Sequence, residues 1–250
     1  MTRIILCGCN GKMGKAITSV VNERSDCEIV AGVDVNTDCL CGYPVFGKMS
    51  DITVEGDVVI DFSHPSLLGD ILAYAKEKKL PAIMCTTGYS EAQVAELKKA
   101  SESIPVFYSG NMSLGINLLI SLARKATSIL GDTFDIEIVE KHHNQKIDAP
   151  SGTALMIANA ISEERSLPSR YEFDRHSVRR KREKEEIGIH SVRGGTIVGE
   201  HEVIFAGHDE VVTISHSAQS KGVFAAGAVN AAVYIVGKEA GMYDMSDLIG

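Results

Sequence analysis

Residues 3–14 read RIILCGCNGKMG, an apolar run followed by a loop with three glycines, and this stretch decides the fold. Arg3–Leu6 predicts a short buried strand, and the residues from about Lys15 to Glu23 predict a helix. The glycine spacing is a variant of G-x-G-x-x-G with the middle glycine moved by one. Glycines permit the tight turn and let backbone N–H groups approach a pyrophosphate, to which the helix N-terminus adds its positive dipole end. The stretch therefore predicts a dinucleotide site.

An acid stands where such a site needs one, at the end of the next predicted strand, Glu28–Val33. Asp34 lies twenty residues after Gly14, where a carboxylate accepts hydrogen bonds from the adenosine ribose. The same carboxylate repels the extra phosphate of NADPH, and Val35 is not the arginine that this phosphate usually requires. We expect NADH to be preferred, with NADPH as the second choice. A simple turn role for Asp34 is the alternative.

Strands alternate with helices through the first half of the chain. Predicted strands at Asp57–Phe62, Ala82–Cys85 and Pro105–Tyr108 indicate an α/β fold with a Rossmann-type doubly wound parallel sheet. After about Asn111 longer strands fit a second α+β domain on an open mixed sheet. We expect one domain from residues 1–112 and 223–250, closed by a helix at Val223–Val236, and a second from 113–222.

Two loops follow predicted strands at the end where parallel sheets place ligands. Their small hydroxyl and amide side chains suit the nicotinamide carboxamide and ribose, although each loop alone is more typical of a turn. These residues are Thr86, Thr87, Ser109, Gly110, Asn111 and Met112.

The densest chemistry lies in EKHHNQKIDAPSGT, residues 140–153. A histidine can deliver a proton near neutral pH, and a lysine can pair with a carboxylate. Ser151–Thr153 opens a predicted helix whose free N–H groups suit an anion. The cluster fits reduction of a negatively charged substrate, with a polar exposed loop as the alternative. Adjacent histidines point apart on a strand and make poor co-ligands, so no metal is predicted.

The composition of the chain argues against some classes of binding partner. The chain has 250 residues with a formal net charge of −8, which argues against a nucleic-acid partner. No apolar run reaches the roughly 18 residues of a membrane span, and no secretion signal is predicted. The six cysteines form no C-x-x-C pair, so we expect small buried side chains in a reducing compartment, the cytoplasm.

Residues 140–154 resemble the signature E-x-H-H-x-x-K-x-D-A-P-S-G-T-A of the dihydrodipicolinate reductases. The resemblance covers nearly the whole chain and includes six further segments: Gly8–Gly14, Asp61–Pro65, Thr86–Gly88, Asn111–Asn117, Arg193–Gly195 and Gly199–His201. It implies reduction of a small cyclic hydroxy-dicarboxylate by a nicotinamide hydride, with loss of water, in lysine and diaminopimelate biosynthesis. It also implies a homotetramer assembled through sheets of the second domain, which would then serve substrate binding and oligomerisation.

The resemblance implies a role for each matching residue. His142 matches the proton donor, and Lys146 matches a second donor that also contacts substrate. The substrate-binding residues are His143, Lys146, Ser151, Gly152 and Thr153. The cofactor-binding residues are Gly8, Cys9, Asn10, Gly11, Lys12, Met13, Asp34, Cys85, Thr86, Thr87, Ser109, Gly110, Asn111 and Met112. No metal is implied.

Three residues depart from the family pattern, none of them at the proposed donor. Val35 and Lys221 stand where arginine is expected, and Cys85 stands where glycine is frequent. Two other functions remain open: a two-domain dehydrogenase of the aspartate or homoserine type, and a catalytically silent dinucleotide sensor. The histidine–lysine cluster argues against the sensor.

Overall fold

The computed structural model describes residues 1–39, 41–177 and 179–249, which divide into two compact units. The first unit comprises Met1–Leu114 with Lys221–Gly250, and the second comprises Gly115–Ser220. The boundaries predicted from the sequence were close to these, at residues 112 and 223.

Twelve strands and seven helices make up the described part of the chain. The strands are β1 (Thr2–Cys7), β2 (Cys27–Val33), β3 (Val45–Phe46), β4 (Val58–Asp61), β5 (Ala82–Met84), β6 (Pro105–Tyr108), β7 (Asp135–His142), β8 (Arg170–Glu172), β9 (Glu186–Arg193), β10 (Gly199–Ala206), β11 (Val211–Ala218) and β12 (Gly241–Tyr243). The helices are α1 (Lys12–Asn22), α2 (Leu68–Lys78), α3 (Glu91–Ser101), α4 (Leu114–Leu130), α5 (Gly152–Glu164), α6 (Gly222–Ile235) and α7 (Met245–Ile249).

The first unit is built on a seven-stranded sheet in the order β12-β6-β5-β4-β1-β2-β3, and every pair of neighbours is parallel. Successive side chains of β1 enter different cores because they alternate between the sheet faces. Ile4 packs in one cluster with Ile17 of α1 and Ala228 of α6, whereas Ile5 packs in another with Ile71 of α2. The last long helix thus covers the first sheet.

The second unit is a five-stranded mixed sheet in the order β11-β10-β7-β9-β8. β7 pairs with β9 in parallel and with β10 antiparallel. Ile138 and Phe205 on one face pack against Ala123 of α4 and Ile157 of α5. The two sheets confirm the predicted fold class, a Rossmann-type parallel sheet with a second α+β domain on a mixed sheet.

Several details differ from the sequence predictions. Helix α1 begins at Lys12 rather than Lys15, because Gly11 adopts the extended conformation of an N-cap residue. β3, β8 and β12 were missed because strands of two or three residues carry no periodicity. Cys39 is exposed, contrary to the expectation of buried cysteines. Among the described residues, no helix combines the length and apolarity that a bilayer crossing demands.

Candidate active site

The predicted cofactor residues of the first unit gather at one edge of its sheet. Because its strands are parallel, their carboxyl ends share that edge, and the strand order reverses at β1, the usual ligand position in such sheets. The glycine loop follows β1, and Asp34 follows β2. Cys85, Thr86 and Thr87 follow β5, while Ser109, Gly110, Asn111 and Met112 follow β6.

The loop after β1 needs its glycines. Gly8 has φ of +77°, and a Cβ there would lie 2.5 Å from the carbonyl oxygen of Phe62. A Cβ on Gly14 would lie 2.3 Å from the carbonyl oxygens of Gly8 and Cys9. Gly11 caps α1 without a side chain, so the helix N-terminus stays open. A tight backbone loop before an uncapped helix suits a pyrophosphate.

Asp34 is held beside this loop. Its Oδ2 accepts a hydrogen bond from the Asn10 backbone N–H at 3.0 Å, and its Oδ1 accepts one from Asn36 N–H at 3.1 Å. The Asn10 side chain donates to the backbone oxygens of Asn36 and Asp38 at 2.7 and 3.1 Å. The loops after β1 and β2 are therefore bonded together around the carboxylate.

A cavity of about 310 Å³ opens between the loops after β1, β2 and β4. Polar and charged groups share its lining with apolar side chains, as an adenosine would require. The lining includes Gly8, Gly11, Asp34, Val35, Lys48, Met49, Phe62, Ser63, His64, Leu67 and Ile71. Lys48 and His64 were not predicted as candidates, because only the pairing of β2 with β3 and of β1 with β4 brings them to the cavity that Asp34 also lines.

The other predicted cofactor residues differ in accessibility. Lys12, Thr87 and Gly110 are exposed, whereas Cys9, Thr86 and Met112 are buried. Met13 packs against the core beside α6.

The loops after β5 and β6 are fixed by local hydrogen bonds. Cys85 N–H donates to the Asp61 carbonyl at 3.0 Å, and burial raises the pKa of the Cys85 thiol. The Ser109 hydroxyl donates to the Asn111 carbonyl at 3.0 Å. At the end of β4, the buried Asp61 carboxylate accepts a hydrogen bond from Tyr89 Oη at 3.0 Å.

A buried carboxylate organises the predicted substrate site of the second unit. Glu140 on β7 is fully buried and accepts hydrogen bonds from His142 Nδ1 at 2.6 Å and Ser151 N–H at 3.1 Å. The Arg193 guanidinium donates to both carboxylate oxygens, at 2.8 and 2.7 Å. Burial alone would raise the pKa of Glu140, but hydrogen bonds from Arg193, Ser191 and His142 lower it to about 2. Neither Glu140 nor Arg193 was predicted from the sequence to have a role.

His142 ends β7, and its side chain is only 12% exposed. Its ring meets that of His201 edge-on, with the centroids 5.3 Å apart. Burial lowers the pKa of His142, and the charges of Lys146 and Arg193 act in the same direction, while Glu140 opposes them. A histidine with a fixed ring beside one carboxylate suits a proton donor.

Lys146 and His143 lie on the loop that follows. Lys146 Nζ lies 2.8 Å from Asp148 Oδ2, and its backbone N–H donates to the His143 carbonyl at 3.1 Å. The side chain of Lys146 is 21% exposed, and His143 is half-buried.

The predicted anion-binding helix begins where expected. The buried Ser151 caps α5, since its hydroxyl oxygen accepts from Ala154 N–H at 3.1 Å. The same oxygen lies 3.1 Å from Nε2 of His201, whose pKa is lowered to about 4 by burial and by the neighbouring His142. Gly152 and Thr153 form the first turn of the helix.

The parallel sheet with its open glycine loop, and the histidine-centred cluster of the second unit, define an oxidoreductase that uses a nicotinamide dinucleotide. Family models agree with both units. A model described as "Dihydrodipicolinate reductase, N-terminus" matches residues 2–112, and one described as "Dihydrodipicolinate reductase, C-terminus" matches residues 115–249. The chain belongs to the dihydrodipicolinate reductase family.

Individual relatives agree over the full length. A 4-hydroxy-tetrahydrodipicolinate reductase from Caldanaerobacter subterraneus subsp. tengcongensis is 51% identical, covering 100% of this chain and 98% of the relative. One from Clostridium novyi is 48% identical with the same coverage. The solved structure of a dipicolinate-bound dihydrodipicolinate reductase from Paenisporosarcina sp. TG-14 has a TM-score of 0.82 at 25% identity, covering 98% of this chain and 97% of that chain.

Proposed function

We propose that this chain is a 4-hydroxy-tetrahydrodipicolinate reductase, which forms tetrahydrodipicolinate in lysine and diaminopimelate biosynthesis. One observation carries the proposal. The buried Glu140 carboxylate bonds both to His142 and to the backbone of Ser151, so a proton donor and an anion-binding helix start are held by one group. The close relatives bear the name of this enzyme.

The reaction adds a hydride and a proton to the cyclic hydroxy-dicarboxylate and releases water. The dinucleotide, when bound, supplies the hydride. His142 delivers the proton from its ring, and Lys146 serves as the second donor and as a charge for the substrate. Low exposure of the His142 ring limits competition from water for that proton.

Carboxylates of the substrate are bound by the start of α5. The N–H groups of Gly152 and Thr153 lie in its first turn, which carries no acidic side chain to compete. Ser151 orders this turn as its N-cap, and His143 and Lys146 add donors from the preceding loop. Two negative charges on the substrate account for this concentration of donors.

For the dinucleotide, we propose NADH as the preferred cofactor. We assign the adenosine to the cavity between the loops after β1, β2 and β4, the adenosine cavity, where the Asp34 carboxylate repels a phosphate on the ribose. Lys48 lines the same cavity and supplies a positive charge where Val35 supplies none, so NADPH serves as the second cofactor.

We also propose a cytoplasmic homotetramer. All six cysteines are free thiols, in keeping with a reducing compartment. Within the second unit, α4 and α5 pack on one sheet face, while Ile204, between the buried Val203 and Phe205, belongs to the other. Light scattering should give a tetramer for the native chain and smaller species for Ile204→Glu. Ile129→Glu, an exposed position on α4, is the control and should stay tetrameric.

A coupled assay tests the function. A synthase supplies the hydroxy-dicarboxylate, and loss of NADH absorbance is followed with and without this chain. Rapid oxidation of NADH that requires both the synthase and this chain supports the reductase. Oxidation of NADH with oxaloacetate and ammonia, or with aspartate semialdehyde, would favour the aspartate- or homoserine-type dehydrogenase. NADH binding without turnover of any of these would favour the silent sensor.

A further inference from the structure

We propose that Glu140 is a positioning residue: clamped by Arg193, it holds Nδ1–H of His142 and so leaves Nε2 as the atom that exchanges a proton with the substrate. The inference rests on the proposed function only in taking His142 as the donor. It assigns one tautomer to His142 and predicts which side of the ring reacts.

The hydrogen-bond inventory of Glu140 dictates the tautomer. An ionised carboxylate only accepts hydrogen bonds, so the 2.6 Å contact requires a proton on His142 Nδ1. The carboxylate is fully buried and its low pKa keeps it ionised near neutral pH, so this requirement holds whether or not Nε2 carries a proton. After Nε2 gives up its proton, the ring is left as the Nδ1–H tautomer with no rearrangement.

Arg193 fixes the carboxylate in turn. It is the register partner of His142 on the neighbouring parallel strand, and its two terminal nitrogens reach the two oxygens of Glu140. One of these nitrogens also donates to the Asp148 carbonyl at 2.6 Å, tying the loop that carries Lys146 to the same clamp. A lysine would offer one point charge in place of this planar fork.

The other side of the ring is kept clear by a glycine. A Cβ on Gly199, the first residue of β10, would lie 3.1 Å from Nε2 of His142. Any larger residue would press on that nitrogen. The His142 ring is thus hydrogen-bonded to the Glu140 carboxylate at Nδ1, while the missing side chain of Gly199 leaves space beside Nε2.

Glu140 also sets the proton affinity of the ring. The charged or titratable groups that act on His142 are Glu140 from β7, Arg193 from β9, Lys146 from the following loop and His201 from β10. Only Glu140 favours the imidazolium, and burial opposes it. Removing this carboxylate should therefore lower the pKa of His142 further, so the alkaline limb of the kcat profile should move to lower pH.

The chain offers a matched control on the same strand. Like Glu140, Glu137 is bonded to a histidine, His190 at 2.7 Å, and to arginine, here both Arg175 and Arg182, although its side chain is only partly buried. Three residues from Glu140, it lies on the other face of β7. Glu137→Gln therefore removes a carboxylate from a second histidine–arginine network that lies outside the proposed active site.

Two measurements test the inference. Nitrogen-15 NMR of the native chain should show neutral His142 as the Nδ1–H tautomer, and an Nε2–H tautomer would overturn the proposal without reference to activity. In the coupled assay, Glu140→Gln should lower kcat about tenfold or more and shift its alkaline limb to lower pH, with NADH affinity unchanged. Arg193→Lys should shift the limb in the same direction.

Glu137→Gln should keep the native pH profile. An unshifted limb in Glu140→Gln, or the same shift in Glu137→Gln, would contradict the positioning role. If Glu140→Gln does not fold, the pH profile of Arg193→Lys and the NMR measurement of the His142 tautomer in the native chain test the positioning role instead. Absence of turnover by the native chain would instead reject the proposed function and leave the tautomer test standing.

Discussion

Oδ2 of Asp34 lies 3.0 Å from the backbone nitrogen of Asn10, so the acid that follows β2 is bonded to the glycine loop that follows β1. One carboxylate oxygen is engaged by the loop, and the other is engaged by Asn36 N–H at 3.1 Å. The negative charge is therefore fixed at the cavity proposed for the adenosine, and changes around it should alter cofactor choice more than folding.

Cofactor preference should follow the charges beside Asp34. Val35 lines the cavity and is 95% exposed, so Val35→Arg should change the free energy of unfolding little. It adds a planar guanidinium that can bind the extra phosphate of NADPH. We expect Val35→Arg to raise kcat/KM with NADPH about tenfold. Lys48→Gln should lower kcat/KM with NADPH and change kcat/KM with NADH little. Steady-state kinetics with both cofactors check this. A native enzyme with a clear preference for NADPH would contradict the role given to Asp34.

The glycine loop should tolerate no side chain at position 14. Gly14→Ala would set a Cβ 2.3 Å from two carbonyl oxygens, so we expect a loss of unfolding free energy of about 1–3 kcal/mol and weaker NADH binding. Gly69→Ala is the control, because nothing lies within 4 Å of the added Cβ in α2, and it should leave both properties nearly unchanged. Urea unfolding and NADH titration give the two values. Equal behaviour of the two variants would be inconsistent with a steric requirement.

His142 should matter for turnover and not for cofactor binding. His142→Gln keeps a polar side chain but cannot carry the transferred proton, so we expect kcat to fall about a hundredfold or more. NADH affinity should be unchanged, since the cofactor residues belong to the first unit. Comparison of kcat with the NADH dissociation constant checks this. A proportional loss of both would point to a structural histidine.

Acid should weaken the second unit through Glu186. This carboxylate is fully buried and accepts from Arg170 at 2.8 Å, from Arg175 at 2.5 Å and from Arg180. Burial would raise its pKa, but these hydrogen bonds lower it from 4.5 to about 2. A depressed pKa means that the ionised group contributes stability above about pH 4.5 and that this contribution is lost as the pH falls toward 2.

Glu186→Gln should therefore be less stable than the native chain near neutral pH, and the difference should shrink as the pH falls through this window. Thermal unfolding across pH measures it, with the exposed Glu239→Gln as the control. A difference that stays constant with pH would contradict the assignment.

Local patterns predicted the fold class, which the two sheets confirm, and they singled out the two segments proposed to bind ligands. The glycine loop and Asp34 belong to one strand–helix–strand unit, and residues 140–153 are contiguous. Both segments can therefore be recognised from a local sequence motif. Arg193 reaches Glu140 only because β9 pairs with β7 in register, and Lys48 reaches the adenosine cavity only through β3. Such partners are set by strand pairing, which no local pattern encodes.

The proposed reaction is tested most directly by the fate of the hydride. NADH deuterated at both C4 positions is supplied with the synthase product and this chain, and the tetrahydrodipicolinate formed is analysed by mass spectrometry. We predict that the product carries one deuterium from NADH and that His142→Gln forms it far more slowly. Consumption of NADH without deuterium in tetrahydrodipicolinate, or no product at all, would contradict the account.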